Sequence, residues 1–231
     1  MTQHLLRKIF TIFSILALTA CGGGTNSEID TVKKPVKATT ILIYGDSISQ
    51  GYGINVYGNY YEQINPGKTY ADLLRQRIIN ERLDEFAPIS VINASVGSEF
   101  SSDGLQRLPA VLSSIRPTHV ILAHGTNDAT ANLPLSYISN NLIDMANLVK
   151  YYGATPLIAN VTFTVFGNDY ANQYSEMIAN TARLTNSVNI NLLSGILGNS
   201  TYYFIDGIHL NELAQPYMMN NVWNVLIPML N

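Results

Sequence analysis

Short apolar runs alternate with helix-length amphipathic segments from Thr40 to the C-terminus, and this alternation constrains the fold more than any other feature. Thr40–Tyr44 (TILIY), Ile89–Asn93, His119–Ala123 (HVILA), Thr155–Phe163 and Val188–Leu192 are β-branched or apolar runs of strand length. Between them, apolar residues recur at helical spacing. Leu73, Leu74, Ile78 and Ile79 mark a helix over Tyr70–Leu83. Further helices are predicted over Gly104–Ile115, Leu135–Tyr152, Tyr170–Asn186 and Asn211–Leu226. Pro109 is compatible with the second of these only as a kink or a new start. Gly153 closes the third.

Strands that are apolar throughout and separated by helices imply a parallel sheet covered on both faces, an α/β fold. In open sheets of this kind ligands bind beyond the carboxyl ends of the strands. Small and polar residues concentrate there. Gly45-Asp46-Ser47-Ile48-Ser49 follows the first strand and Asn93-Ala94-Ser95-Val96-Gly97-Ser98 the second. Gly125-Thr126-Asn127-Asp128 follows the third, and Asp206-Gly207-Ile208-His209 precedes the last helix. Composition narrows the function. With 231 residues, 47% hydrophobic and 13% charged, the chain can build a large core and is neither disordered nor a coiled coil. A formal charge of −3 provides no basic face for nucleic acid. One cysteine excludes a disulfide framework and a cysteine-rich metal site.

The residues after the strands can perform nucleophilic catalysis. A serine hydroxyl is a weak nucleophile until a base takes its proton. Beyond the N-terminal segment the histidines are His119, His124 and His209. Asp206 lies three residues before His209, so one turn can project both, and a carboxylate there holds the imidazole in one tautomer. Asn127 offers an amide donor for a developing oxyanion. Each residue also has a structural reading. Ser47 and Asp206 can cap helices, and Asn127 can belong to a turn. His209 can be a satisfied surface histidine. His124, His119 and Asp128 read as structural residues at strand ends. The tyrosine-, asparagine- and glycine-rich stretch over 52–67 is either an aromatic platform at the pocket or a surface loop.

The four blocks resemble, in order and spacing, the SGNH (GDSL-type) hydrolases. GDSIS at 45–49 matches the nucleophile block with Ile48 for the usual leucine. GTND at 125–128 matches the asparagine block and DGIHLN at 206–211 the Asp-x-x-His block. NAS…GLQRLP from Asn93 to Pro109, together with DGIHLNELAQP from Asp206, is most similar to the thioesterase/lysophospholipase/arylesterase branch. The resemblance implies a flavodoxin-like three-layer α/β/α sandwich and hydrolysis of acyl esters or thioesters without metal or cofactor. It makes Ser47 the nucleophile, His209 the general base and acid, and Asp206 its orienter. The Ser47 N–H and the Asn127 side chain become oxyanion donors. One block departs from the pattern: the family's oxyanion glycine falls on Ser98, while the glycine is Gly97, so both are retained as candidates. The implied substrate is a small acyl ester or lipid. Alternatives are an O-acetyl carbohydrate deacetylase on the same fold and a surface binding protein whose site has decayed.

The N-terminus has its own chemistry. Arg7 and Lys8 precede an apolar run, Ile9–Ala20, of signal-peptide length. Leu18-Thr19-Ala20-Cys21 resembles the bacterial lipobox, which implies cleavage before Cys21 and lipidation of that cysteine. Residues 1–20 are then a signal peptide, 21–38 a flexible tether and 39–231 the hydrolase domain. The tether would span roughly 20–25 Å on average. The expected location is the bacterial cell envelope, with the membrane reached through lipidated Cys21. Two-membrane hosts would carry the protein on the outer membrane or facing the periplasm. The sequence leaves the oligomeric state open.

Overall fold

The structure, a computed structural model, describes residues 38–54, 67–85 and 87–230. Residues 1–20, Cys21, the tether as far as residue 37, and 55–66 of the tyrosine-rich stretch lie outside the described residues. Five strands form one parallel sheet: β1 (Thr39–Gly45), β2 (Ile89–Asn93), β3 (His119–Ala123), β4 (Thr155–Asn160) and β5 (Val188–Asn191), in the order β2-β1-β3-β4-β5. The helices are α1 (Ser47–Gln50), α2 (Tyr70–Asn80), α3 (Ser101–Ile115), α4 (Thr126–Thr130), α5 (Leu135–Tyr151), α6 (Asn168–Leu184) and α7 (Gln215–Leu226).

Successive side chains of a strand point to opposite faces, and the sequence exploits this fully. Ile41 and Ile43 of β1 join Ile121, Leu157 and Ala159 in one apolar layer, filled by Leu74, Ile78, Met218 and Val222 of α2 and α7. Leu42 and Tyr44 face the other way. They join Val120, Leu122 and Ile158 beneath Leu108, Leu142, Met145 and Ile178 of α3, α5 and α6. The result is the expected three-layer α/β/α sandwich. From β1 the chain passes to β2 on one side and then crosses to β3 on the other. The crevice outside the carboxyl ends of β1 and β3 is therefore the topological switch point, where such folds bind ligands.

Several boundaries differ from the sequence reading, each for a local reason. α3 starts at Ser101 rather than Gly104, because the distant Asp128 carboxylate accepts both the Ser101 N–H (2.9 Å) and its hydroxyl (2.6 Å). The helix also runs through Pro109 without a new start. β4 stops at Asn160, three residues before Phe163. α7 begins at Gln215, four residues after Asn211, because the Asn211 side chain accepts the Leu213 N–H in a local turn. α1 and α4, read as loops, are single helical turns too short to show a period.

Candidate active site

Ser47 is the first residue of α1, directly after β1 and the capping residue Asp46. The Asp46 carboxylate accepts the Ile48 N–H at 3.0 Å, which closes the strand-to-helix turn tightly and leaves the serine at its apex. As the first residue of a helix, Ser47 has an N–H without an intrahelical acceptor. Asp46 is fully buried. Burial raises its carboxyl above the ordinary range, against the opposing pull of nearby His124 and of its own hydrogen bonds.

His209 reaches Ser47 from the other end of the chain. Its Nε2 lies 3.0 Å from Ser47 Oγ and its Nδ1 lies 2.7 Å from Asp206 Oδ2. The other oxygen of the same carboxylate, Asp206 Oδ1, accepts the N–H groups of Ile208 and His209, both at 2.9 Å. One side chain therefore shapes the turn and orients the ring. Burial pushes its pKa up, but the His209 ring and the two backbone N–H groups outweigh that and hold it below the ordinary value. The loop is pinned from outside by the Phe204 N–H donating to His209 O at 2.8 Å and by a bridge between Tyr203 and Leu210. Tyr52 lays its ring against the imidazole, with centroids 4.4 Å apart. The sequence marked the tyrosine-rich stretch but not this contact.

Asn127 lies in α4, after β3. Its side-chain N–H donates to the Glu99 carbonyl at 2.9 Å. That bond uses one of the two amide hydrogens and fixes the direction of the other. The turn facing it contains Gly97 and Ser98, closed by the Glu99 N–H on Val96 O and tied to β1 by the Val96 N–H on Gly45 O. The expected single glycine function is split here. Ser98 adopts the left-handed conformation, φ 63°, that glycine takes without strain. Gly97 provides room: a Cβ there would sit 2.6 Å from Gln50 Oε1 and 3.8 Å from Ser47 Cβ. Neither the Gly97 nor the Ser98 N–H finds an acceptor among the described residues.

The other singled-out residues are structural in their contacts. Asp128 is buried and caps α3. His124 is buried, with Nε2 2.8 Å from Glu99 Oε2. His119 stands at the start of β3 beside Thr118, and burial lowers its pKa. Ser49, two residues past the nucleophile, is buried and accepts the Tyr70 hydroxyl proton at 2.8 Å. Two apolar side chains lie on or beside the Asp206–His209 loop. Ile205 is fully exposed, and Val165 is about half exposed and packs 3.6 Å from the position of a Gly207 Cβ. No group of three or more His, Cys, Asp and Glu side chains among the described residues could hold a metal ion.

Comparison with known proteins gives a consistent picture. The sequence model of the GDSL-like Lipase/Acylhydrolase family matches residues 43–215. The chain is 30% identical over 195 residues to Esterase TesA of Pseudomonas aeruginosa, covering 84% of this chain and 90% of that protein. It is 27% identical over 199 residues to Thioesterase 1/protease 1/lysophospholipase L1 of Escherichia coli, covering 84% and 86%. Among solved structures, TesA superposes with a TM-score of 0.72 at 29% identity, covering 83% of this chain and 99% of that one. The esterase EstA from Pseudoalteromonas sp., solved inhibited by monoethylphosphonate, gives 0.70 at 26% identity, covering 84% and 99%.

Proposed function

Because the chain belongs to the GDSL-like lipase/acylhydrolase family, we propose that Ser47, His209 and Asp206 carry out its ester hydrolysis through an acyl-enzyme. The chain is a serine esterase, a hydrolase of acyl ester or thioester bonds. The observation that carries the residue assignment is His209 standing between Ser47 Oγ at 3.0 Å and Asp206 Oδ2 at 2.7 Å. With its Nδ1 proton donated to Asp206, the ring presents a basic Nε2 to the serine hydroxyl.

Ser47 Oγ attacks the acyl carbon while His209 Nε2 takes its proton. The carbonyl oxygen becomes an oxyanion, held by the Ser47 N–H, a backbone N–H of the Gly97–Ser98 turn and the second amide hydrogen of Asn127. The tetrahedral intermediate expels the alcohol or thiol as His209 returns the proton to it. Water, deprotonated by the same nitrogen, then attacks the acyl-enzyme. Collapse releases the acid and restores the Ser47 hydroxyl.

Two observations support an acyl group longer than acetyl over the acetyl ester of a sugar as the substrate. The relatives carry the names esterase and thioesterase/lysophospholipase. Tyr52 lays a partly exposed aromatic ring on the His209 imidazole, and the half-exposed Val165 lies at Gly207 of the same loop. A panel of esters and thioesters from acetyl to long chain, with O-acetylated sugars in competition, tests this. The expected profile favours acyl esters or thioesters longer than acetyl. A profile restricted to O-acetyl sugars would overturn it.

The N-terminal reading supports a place for this chemistry. Cys21, lipidated and tethered by residues 22–38, holds the enzyme at the bacterial envelope. Two or more acyl chains give stable attachment where one gives only marginal binding. Cys21→Ser is expected to release the protein from membranes with specific activity unchanged. Wild-type protein found entirely soluble would contradict the anchor.

A further inference from the structure

Glu99 lies in the turn between β2 and α3 and has contacts unlike those of any neighbour. Its side chain is buried, yet it is fully paired. Arg107 donates Nε–H to Oε1 and Nη2–H to Oε2, both at 2.7 Å, and His124 Nε2 lies 2.8 Å from Oε2. Burial pushes the carboxyl up, but Arg107 and His124 outweigh it and bring its pKa to about 2. The clamp is built into the packing. Arg107 lies 4.3 Å over the Tyr44 ring, Tyr44 donates its hydroxyl proton to Gly104 O at 2.7 Å, and Tyr44 packs against His124. Any side chain at position 104 would collide with the imidazole, since a Cβ there would lie 2.5 Å from His124 Nε2.

The backbone of the same residue meets the proposed oxyanion donors. Glu99 O accepts the Asn127 amide, and Glu99 N–H closes the turn that carries Gly97 and Ser98. Ser98 is held there with φ 63°, which an L-residue does not adopt without support. We propose that Glu99 is a positioning residue for the oxyanion site: its carboxylate, locked between Arg107 and His124, fixes the carbonyl that aims the Asn127 amide. A bidentate arginine bond sets both distance and plane, which a single hydrogen bond does not. The inference rests on the oxyanion role proposed above for Asn127.

A double-mutant cycle on the full chain tests it, with kcat referred to active enzyme counted by phosphonate titration. Glu99→Ala is expected to lower kcat about 10- to 100-fold with KM within about threefold, because the amide matters more to the transition state than to bound substrate. Glu99→Gln, which keeps the length and one acceptor oxygen, is expected to recover part of that rate. In an Asn127→Ala background, Glu99→Ala is expected to cost less than about threefold more. Arg107→Gln gives the same reading should Glu99→Ala fail to fold. If Asn127→Ala retains wild-type kcat, the oxyanion reading falls and this inference with it. If Asn127→Ala loses kcat while folded Glu99→Ala does not, or if the two losses multiply in full, the positioning role alone is overturned.

Discussion

Two histidine–carboxylate pairs lie among the described residues, His209 with Asp206 at 2.7 Å and His124 with Glu99 at 2.8 Å, and of these the first faces a serine hydroxyl. Bond lengths do not separate them; surroundings do. The His209 and Asp206 side chains are 22% and 41% exposed, whereas those of His124 and Glu99 are 0% and 6%. The second ring nitrogen of His209 meets Ser47 Oγ, while that of His124 is buried without a hydrogen-bond partner among the described residues. The first pair can exchange protons with a substrate that arrives from solvent. The second is closed over by Tyr44 and Arg107 and can only hold a shape. A histidine beside a carboxylate is thus a part, and its use follows from what the free nitrogen reaches.

Substituting each histidine in turn separates the two pairs most widely. His209→Ala is expected to lower kcat by about four to six orders of magnitude, the range typical of losing a base that acts as a unit with its nucleophile, at nearly unchanged melting temperature. His124→Ala is expected to do the reverse. It should cost about 2–4 kcal/mol of stability, through a cavity and the loss of one of the two partners of Glu99 Oε2, while the folded fraction keeps kcat within about 10- to 100-fold. Thermal melts and titrated kcat on both variants check this. Equal loss of rate from both would erase the distinction between them.

Asn127, proposed above as an oxyanion donor, links the two pairs, because the Glu99 carbonyl of the buried pair holds its amide. Asn127→Ala is expected to cost about 10²–10³ in kcat, or roughly 3–4 kcal/mol, with KM within a few-fold. A turn role alone would instead lower stability and spare kcat. The weakest of these effects is electrostatic and belongs to the buried pair. Glu99 titrates near 2 in the folded chain against an ordinary 4.5, so its ionised form stabilises the fold. That contribution is fully present above the ordinary value and is lost as pH falls toward 2. The stability difference between wild type and Glu99→Gln should be flat above about pH 5 and shrink between about 4.5 and 2, by urea unfolding at each pH. A difference that grew on acidification would contradict the clamp.

How far each pair was legible in the sequence follows from how local it is. Asp206 and His209 are three residues apart in a recognisable block, and Ser47 follows an unmistakable strand, so chemistry and position could be read together. The parallel sheet was legible for a similar reason: apolar runs without alternation leave few other folds. Glu99 was not singled out, because its partners stand 8 and 25 residues away and only packing brings them to it. His124 was read as structural, and its contacts agree, but nothing in the sequence pointed to Glu99 as the reason. The start of α3 depended on Asp128, 27 residues on, a contact without a local signal. The Gly97–Ser98 order was visible as a departure. Only the torsion at Ser98 explains how both residues serve the turn.

The proposed chemistry rests on Ser47 as nucleophile and His209 as its base, and covalent labelling reads both. Wild-type protein treated with a fluorophosphonate and digested should yield one phosphonylated peptide, with the adduct on Ser47. Ser47→Ala should be folded, unlabelled and without turnover, and His209→Ala should label far more slowly than wild type. Ser49, already accepting the Tyr70 hydroxyl proton, is not expected to react. Label on another serine, or turnover above a few per cent in Ser47→Ala, would contradict the assignment.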